Sequence, residues 1–419
     1  MVALFGSSSD IIWCTGTSRS NRSTHNRYHY IKCKINTYNV NGGTVKDTIG
    51  DCICTFAPPI DLKVDDFRVI YCTLENARRQ GISFVATGEN YLVKDCNIGN
   101  INGTDPQSGI DFEHYGYVKN VVIDGVHFYD NKKWDIINYN GTEIEVKNSN
   151  FTGGIATTYG HTMDIHDNEF EYKDRPKNDK AFKNTSLNIT TENNKVYNNV
   201  FKGGSVTVSG ENSELYSNTF HDAVIGVCCN GSNKYYNSQV TIKQNSNFPL
   251  LSDNYFENSD VSCSNDSPAI EIQNCQFENS SFNGRGTCIV KNSAFHLKDK
   301  YLVEGWKAAS TAITFDTCEI KSDTSFLKSG LNAKLIFKNS TVLTAREKIL
   351  NYGTTTFEDS KIVFLQDGKE EDFTWNIGGY GYEKCPWVFN NCTFESQLPV
   401  TIGGGKVTNA TIEGNVTIE

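Results

Sequence analysis

Proline is scarce in this 419-residue chain, with eight in all, and no Gly/Ser tract or block of like charge interrupts it. A compact reading of this length would require two or three domains joined by linkers, and the sequence offers no such linkers. Apolar residues instead recur evenly from Ile11 to Ile412, which points to an elongated repeat architecture whose length is not limited by the size of one core. There is no run of eighteen apolar residues, and Met1–Asp10 has neither the charged start nor the long apolar core of a signal peptide. The chain therefore reads as soluble, without membrane insertion and without an export address. Lys and Arg are outnumbered by Asp and Glu, 39 to 49, for a net charge of -10. That balance argues against nucleic acid as a partner, which needs clustered cations.

Metal-ligand spacing is also missing. Fourteen cysteines are present, yet no CxxC pair has a matching partner, and Cys228 and Cys229 are adjacent. Several cysteines fall at one repeated position, so free and mostly buried thiols are expected rather than a disulfide framework. His114, His161 and His166 show no ligand spacing either and are expected to be solvated or on loops.

What the chain has in abundance is a six-residue phrase: an apolar anchor, a polar pair rich in Asp and Asn, a small residue, a variable position, then Phe, Ile, Val or Leu. Copies include Val69–Leu74, Val93–Ile98, Ile123–Phe128, Val146–Phe151, Ile165–Phe170, Val196–Phe201 and Leu215–Phe220. The series continues through Leu251–Phe256, Ile272–Phe277, Val290–Phe295, Phe315–Ile320, Phe337–Val342, Phe357–Ile362, Phe389–Phe394 and Val407–Ile412. Copies lie 18 to 36 residues apart, as suits one turn of a β-solenoid with loops of varied length. The two apolar residues of each phrase point inward, Asp or Asn makes the tight turn between strands, and the small residue fits the corner. Stacked coils place like residues about 4.8 Å apart. Cys72, Cys96, Ser149, Cys275, Ser293, Cys318, Ser340, Ser360 and Cys392 should then form an internal ladder, continued by Asn168, Asn199, Asn218 and Asn254. The expected fold is all-β, a single-stranded right-handed parallel β-helix of the pectin-lyase-like kind with about fifteen coils, residues 41–419, behind an N-terminal coil or cap at 1–40.

A second strand series aligns in the early coils. Ile53, Ile82, Ile110 and Ile136 fall in one register at spacings of 29, 28 and 26. Alternation sends Ile82 with Phe84, and Ile110 with Phe112, into the core and leaves Asp111 and Glu113 projecting outward. Neighbouring coils bring Arg78 and Arg79 from below and Tyr139 from above. Asp51 joins from the lowest coil, unless its parity with Ile53 tucks it into a turn. Paired carboxylates are what glycoside hydrolysis requires, one to protonate the leaving oxygen and one to activate water or attack the anomeric carbon. Arginine beside them grips an anionic substrate or lowers one carboxylate's pKa, and Tyr139 can stack on a sugar ring. The plain alternative is a structural salt-bridge network on a charged strand face. The active groove is expected around coils 50–140. Glu143 and Glu145, on the other strand series, read as a solvated face.

The motifs GDCI (Gly50–Ile53), ARRQGIS (Ala77–Ser83), NGTDPQSGIDFE (Asn102–Glu113) and VKNVVIDGVHFYDN (Val118–Asn131) resemble those of bacteriophage tailspikes and the pre-neck appendages of small podophages. The matching phrases of that group read GDGI, RRQGISI and GTxPxAGIDxEP, in this order and at this spacing. The resemblance covers about a fifth of the chain. It implies a virion-attached homotrimeric fibre, contacting other virion proteins, that recognises and often degrades a bacterial surface polysaccharide or wall teichoic acid. Carried over, the acidic groove is Asp51, Asp111 and Glu113, with Arg78 and Arg79 beside it. Cys52 stands where the family usually has Gly, and His114 where it usually has Pro. No cofactor is implied for glycoside hydrolysis, whereas a divalent metal ion becomes a candidate if the bond is a phosphodiester. The pectin-degrading β-helix enzymes fit less well, because their paired-Asp and vWiDH-like phrases are missing. A non-catalytic receptor-binding fibre shares the same fold and ligand.

Overall fold

The repeat phrases fold as two short strands hinged on one residue in the left-handed backbone region, except that Val69–Leu74 carries its hinge, Tyr71, inside the single strand Phe67–Glu75. A computed structural model describes residues 38–55, 63–159, 162–172, 185–227, 230–243, 250–264, 270–305, 311–324, 327–329, 333–345, 350–351, 353–365, 373–376 and 387–419. The expected cap therefore falls almost wholly outside the described residues, as do His161, Cys228 and Cys229. The chain divides into two compact units, residues 1–218 and 219–419. Every regular element among the described residues is a β-strand, paired in parallel, and none is a helix long and apolar enough to cross a membrane. Both units are built as the parallel β-helix that the repeat predicts.

The hinge residue explains the Asp/Asn preference of the phrase. In the first unit it is Tyr71, Asp95, Gly125, Asn148, Asp167, Asn198 and Ser217, with φ between 50° and 67°. In the second it runs through Asp253, Asn274, Asn292, Asn339, Asp359, Asn391 and Asn409. Asn, Asp and Gly tolerate this conformation at low cost, and a single such residue turns the chain from one face to the next.

Cross-coil pairing stacks the anchors in one column. In the first unit Val40, Val69, Val93, Ile123, Val146, Ile165, Val196 and Leu215 pair in turn. In the second unit Asn230, Leu251, Ile272, Val290, Phe315, Phe337, Phe357, Phe389 and Val407 do so. These columns contain two copies the phrase did not reveal. Val40–Val45 carries Gly-Gly at its corner, and Asn230–Tyr235 has Asn where an apolar anchor is expected and Tyr235 in place of Phe, so the 36-residue gap holds an extra coil.

Inside each unit the aromatic residues after the corner stack face to face. Phe128, Phe151, Phe170 and Phe201 lie 4.9, 4.6 and 4.6 Å apart, and Phe220, Tyr235, Phe256, Phe277 and Phe295 lie 4.9, 4.9, 4.7 and 4.2 Å apart. The ring spacing is the coil spacing. Each buried ring contributes roughly 2 to 3 kcal/mol from area alone, with about 1 kcal/mol more from stacking.

The corner ladder forms as expected. Asn168 N–H donates to Asn199 Oδ1 at 3.0 Å, and Asn199 N–H to Asn218 Oδ1 at 2.9 Å. In the second unit Cys275 N–H donates to Ser293 Oγ, Cys318 N–H to Ser340 Oγ and Ser340 N–H to Ser360 Oγ. Nine described cysteines are all free thiols, eight of them buried, which agrees with their role as corner and core packing.

Removing Asn199 tests the ladder. Asn199→Ala leaves the buried Asn168 N–H and the Ile165 and Tyr197 carbonyls without their side-chain partner. The expected loss is roughly 3 kcal/mol, read as a lower urea-unfolding midpoint, whereas the exposed Lys195→Ala should stay within about 0.5 kcal/mol. Asn199→Ser should recover part of the loss, because Ser fills the same corner elsewhere. Equal midpoints for Asn199→Ala and Lys195→Ala would remove the ladder as a source of stability.

Candidate active site

The aligned isoleucines form the register that the sequence predicts. Ile53 pairs with Ile82, Ile82 with Ile110 and Ile110 with Ile136. Ile110 and Phe112 are wholly buried in the core, so Asp111 lies on the opposite, outer face of its strand, beside Ser83 in the coil below and Ile137 in the coil above. Gly81 and Gly109 allow these coils to approach closely. A Cβ on Gly81 would meet the Gly109 carbonyl at 2.5 Å, and one on Gly109 would meet the Asp135 carbonyl at 2.6 Å.

The expectation that Asp111 projects into an open groove is corrected. Asp111 is only 1% exposed, and the strands Gln80–Phe84, Ser108–Phe112, Ile136–Asn138 and Ile155–Thr157 are buried at every position, on both faces. Alternation fixes which face a side chain takes but not what covers that face. Part of the cover is apolar: Trp134, Ile137 and Ala156 form an outer cluster against which Tyr139 packs. The rest is polar, because Gln80 Nε2 donates to both Asp111 Oδ2 and, at 3.2 Å, Glu113 Oε1.

Arg79 ties the remaining carboxylates together. Its guanidinium reaches Glu113 Oε1 at 2.9 Å and Asp51 Oδ2 at 3.7 Å. Asp51 is therefore part of the cluster rather than tucked away, held there because Cys52 N–H donates to the Gln80 carbonyl and Arg79 N–H to the Gly50 carbonyl. Tyr139 sits one coil above Glu113, with its N–H on the Phe112 carbonyl. Arg78 does not join. It is exposed and makes no ion pair among the described residues, and its backbone carbonyl instead accepts from Thr104 N–H. Both arginines lie in the bend that precedes the strand Gln80–Phe84, and it is Arg79, whose N–H bonds to the Gly50 carbonyl, that faces the carboxylates.

Gln80 is the residue that the sequence reading missed. It is completely buried, yet its Nε2 is the donor shared by the two central carboxyl groups. Its signal was present in the repeated x-Gly-Ile phrase, where Gln80 precedes Gly81 and Ser108 precedes Gly109 in the same register.

Burial sets the charge state of the cluster. It pushes the Asp111 carboxyl up to about 8, with the negative charge of Glu113 adding to the rise and the Gln80 hydrogen bond and Arg79 opposing it. Asp51 is raised to about 6, again by burial, with Arg79 opposing and Glu113 adding. The Tyr139 phenol is raised by burial and then by Asp111 and Glu113. Cys54, on the same face, is pushed up to about 12 by burial and by the Asp51 charge, so it remains an inert thiol rather than a nucleophile.

Other candidates resolve differently. His114 is exposed, beside Glu113 at 4.0 Å and against Tyr115. His166 corrects the expectation of a solvated or loop histidine: it lies on the strand Met163–His166, between Glu145 and Asp167, with its ring stacked on Tyr197. Glu143 is exposed and pairs with Lys119, as a solvated face should, while Glu145 is shared between Lys147 and His166. Among the described residues no three His, Cys, Asp or Glu side chains group as metal ligands.

No family model matches the chain. It is similar to a Bacillus subtilis (strain 168) protein described as "Uncharacterized protein YclG", with 32% identity over 134 residues. The match covers 28% of this chain, and the chain spans about a fifth of the length of that relative, 22%.

The raised carboxyls make stability fall with pH. In the unfolded chain Asp111 and Asp51 ionise near 3.8; in the folded protein they do so only near 8 and 6. Their contribution to stability is thus complete below about pH 3.8, declines as pH rises, and is lost once pH passes the folded values. Asp111→Asn should unfold at a progressively higher midpoint than the wild type between pH 5 and pH 8, with the difference levelling off above that. A constant difference across the range would show that Asp111 is not held protonated.

Proposed function

We propose that this chain is a tailspike-type fibre that binds a bacterial cell-surface glycopolymer and depolymerises it by hydrolysis, with Asp111 as general acid and Glu113 as nucleophile. The observation that carries this reading is one shared donor: Asp111 and Glu113 both accept from Gln80 Nε2, while burial holds Asp111 as a proton source near neutral pH. Two carboxyl groups with divided roles are the requirement of glycoside hydrolysis.

Their closeness favours a retaining mechanism. Two hydrogen bonds to one nitrogen keep the nearest carboxylate oxygens within about 6 Å, short of the separation that leaves room for water between the pair in inverting enzymes. Asp111 would donate its proton to the departing glycosidic oxygen as a Glu113 oxygen bonds to the anomeric carbon. Asp111, now a carboxylate, would then take a proton from the water that cleaves the glycosyl ester and so regenerate both groups. Arg79 neutralises Glu113 and Asp51 before substrate arrives, and its half-exposed guanidinium lies on the flank through which a polymer would enter. Tyr139, braced by the apolar cluster, offers a ring face beside Glu113. If the polymer is a teichoic acid cut at phosphodiesters, Arg79 is the group that would stabilise the charged transition state.

The resemblance of Gly50–Asn131 to tailspikes supports a virion-attached homotrimer acting at the host surface, and the light-scattering mass of the purified chain tests the trimer. One observation favours the second reading, a fibre that binds without cleaving: Asp111 is only 1% exposed, so the acid is covered until Arg79 or its neighbours move.

Purified cell walls distinguish the two. Wild-type protein should release soluble fragments, and Glu113→Gln and Asp111→Asn should each lower the release rate by at least about a hundredfold while the protein is still retained on the walls. Retention without release by the wild type would identify a binder, and unchanged release by both variants would remove these carboxylates from the mechanism.

A further inference from the structure

Asp51 Oδ1, Gln80 Oε1, Ser83 Oγ and Asp111 Oδ1 are all buried outside hydrogen-bond geometry with the protein, and Asp51 and Ser83 have only the weakly polar Cys54 thiol beside them. Buried polar atoms are nearly always paired, and an unpaired cluster marks a place built for a ligand or ordered water. These four belong together. Ser83 is the cross-coil partner of Asp111, Gln80 is bonded to Asp111 through its other polar atom, and Arg79 links Asp51 to Glu113. The partnered atoms also fix the geometry: with Gln80 Nε2 held by two carboxyl groups, its Oε1 is the atom left to meet something else.

We propose that Gln80 and Ser83 complete, with Asp51 and Asp111, a subsite that takes the neighbouring hydroxyl groups of a polyol, so that Gln80 is a substrate-binding residue and not only a support for the carboxyls. The physiological role of the subsite rests on the depolymerase reading above. Its chemistry follows from donor and acceptor types. Gln80 Oε1 and Asp51 Oδ1 only accept when the Asp51 carboxyl is ionised, protonated Asp111 donates, and Ser83 does either. A hydroxyl both donates and accepts, so two adjacent hydroxyls satisfy the set. A phosphate or carboxylate would bring acceptors against two carboxyl groups, and an apolar group would leave all four atoms unpaired. Access runs past Arg79, 42% exposed, and Glu113, 12% exposed, so the guanidinium is the movable rim. The same hydroxyl pattern occurs on a pyranose ring and on an open alditol chain such as those in teichoic acids.

The test uses crystals of the whole chain soaked at pH 6 to saturation in glucose and, separately, in ribitol. Hydroxyl oxygens should lie within hydrogen-bond distance of Gln80 Oε1 and Asp111 Oδ1, and the soak that fills the subsite identifies ring or open chain. In solution, Gln80→Met should weaken binding of that polyol at least tenfold by calorimetric or NMR titration. Ser83→Ala, a smaller change that gives up only the weak contact with the Cys54 thiol, should weaken it while leaving the unfolding midpoint nearly unchanged. Soaks in which neither polyol touches these atoms, or equal affinity in Gln80→Met, Ser83→Ala and the wild type, overturn the proposal. Fragment release from walls without a polyol at Gln80 would leave the depolymerase reading standing and remove only this subsite, and polyol bound there without release would do the reverse.

Discussion

Everything in this fold depends on a corner made by two residues: one in the left-handed region, and after it a small side chain that bonds to the next coil. The left-handed residue turns the chain, at φ near 50° in copy after copy. The following Asn, Ser or Cys then occupies a backbone N–H or carbonyl that the turn would otherwise leave buried and unpaired. Because the corner repeats at one register, the residues on either side of it fall into columns, and the aromatic rings stack at the spacing of the strands. Where Ser or Cys replaces Asn the corner survives with fewer bonds, which is why the phrase tolerates such variety at this position while holding so firmly to small or amide side chains.

The candidate site is a consequence of the same stacking. No single coil contains the whole cluster. Asp51, Arg79 with Gln80, and Asp111 with Glu113 come from three coils, and they meet only because Ile53, Ile82 and Ile110 lie in register. A slip of one residue in any of these coils would turn the carboxyl groups into the barrel. Gly81 and Gly109 hold the coils close at this point, where any side chain would strike the neighbouring backbone.

How much of this was legible follows from what each pattern encodes. The anchor period and the polar hinge gave the fold, and the four isoleucines gave the site's register, because both are statements about periodicity. Two coils escaped, Val40–Val45 and Asn230–Tyr235, since a glycine pair and an asparagine stood where the pattern looks for bulk or an apolar anchor, and stacking with neighbours makes up the difference. The face taken by Asp111 was legible, but its burial was not: alternation says nothing about Ile137 beside it or Gln80 bonded to it. Nor could sequence decide between Arg78 and Arg79, whose position at a turn leaves parity open until Arg79 N–H is seen on the Gly50 carbonyl. His166 was misread because a histidine at a strand end looks solvated until Tyr197 is seen stacked on it.

The energetics of Asp111 bear on why such a cluster exists at all. A salt-bridge network kept for stability should hold its carboxyls ionised and satisfied. Asp111 is neither: burial carries it to about 8, and one of its oxygens has no partner. Holding an aspartate in this state costs the fold on the order of several kcal/mol once the unfolded chain can ionise it, and an asparagine or serine at the same position would avoid most of that cost. Arg79 relieves it only in part: it draws the Asp111 carboxyl down from a distance, while its guanidinium contacts Glu113 and Asp51 instead. Groups that weaken a fold in this way are expected where chemistry needs a proton donor in a dry, preorganised place, and on the depolymerase reading proposed above the neighbouring Glu113 is the second carboxylate. A structural role explains Arg79 and Glu113 well enough, but it gives no reason for Asp111 to be an acid.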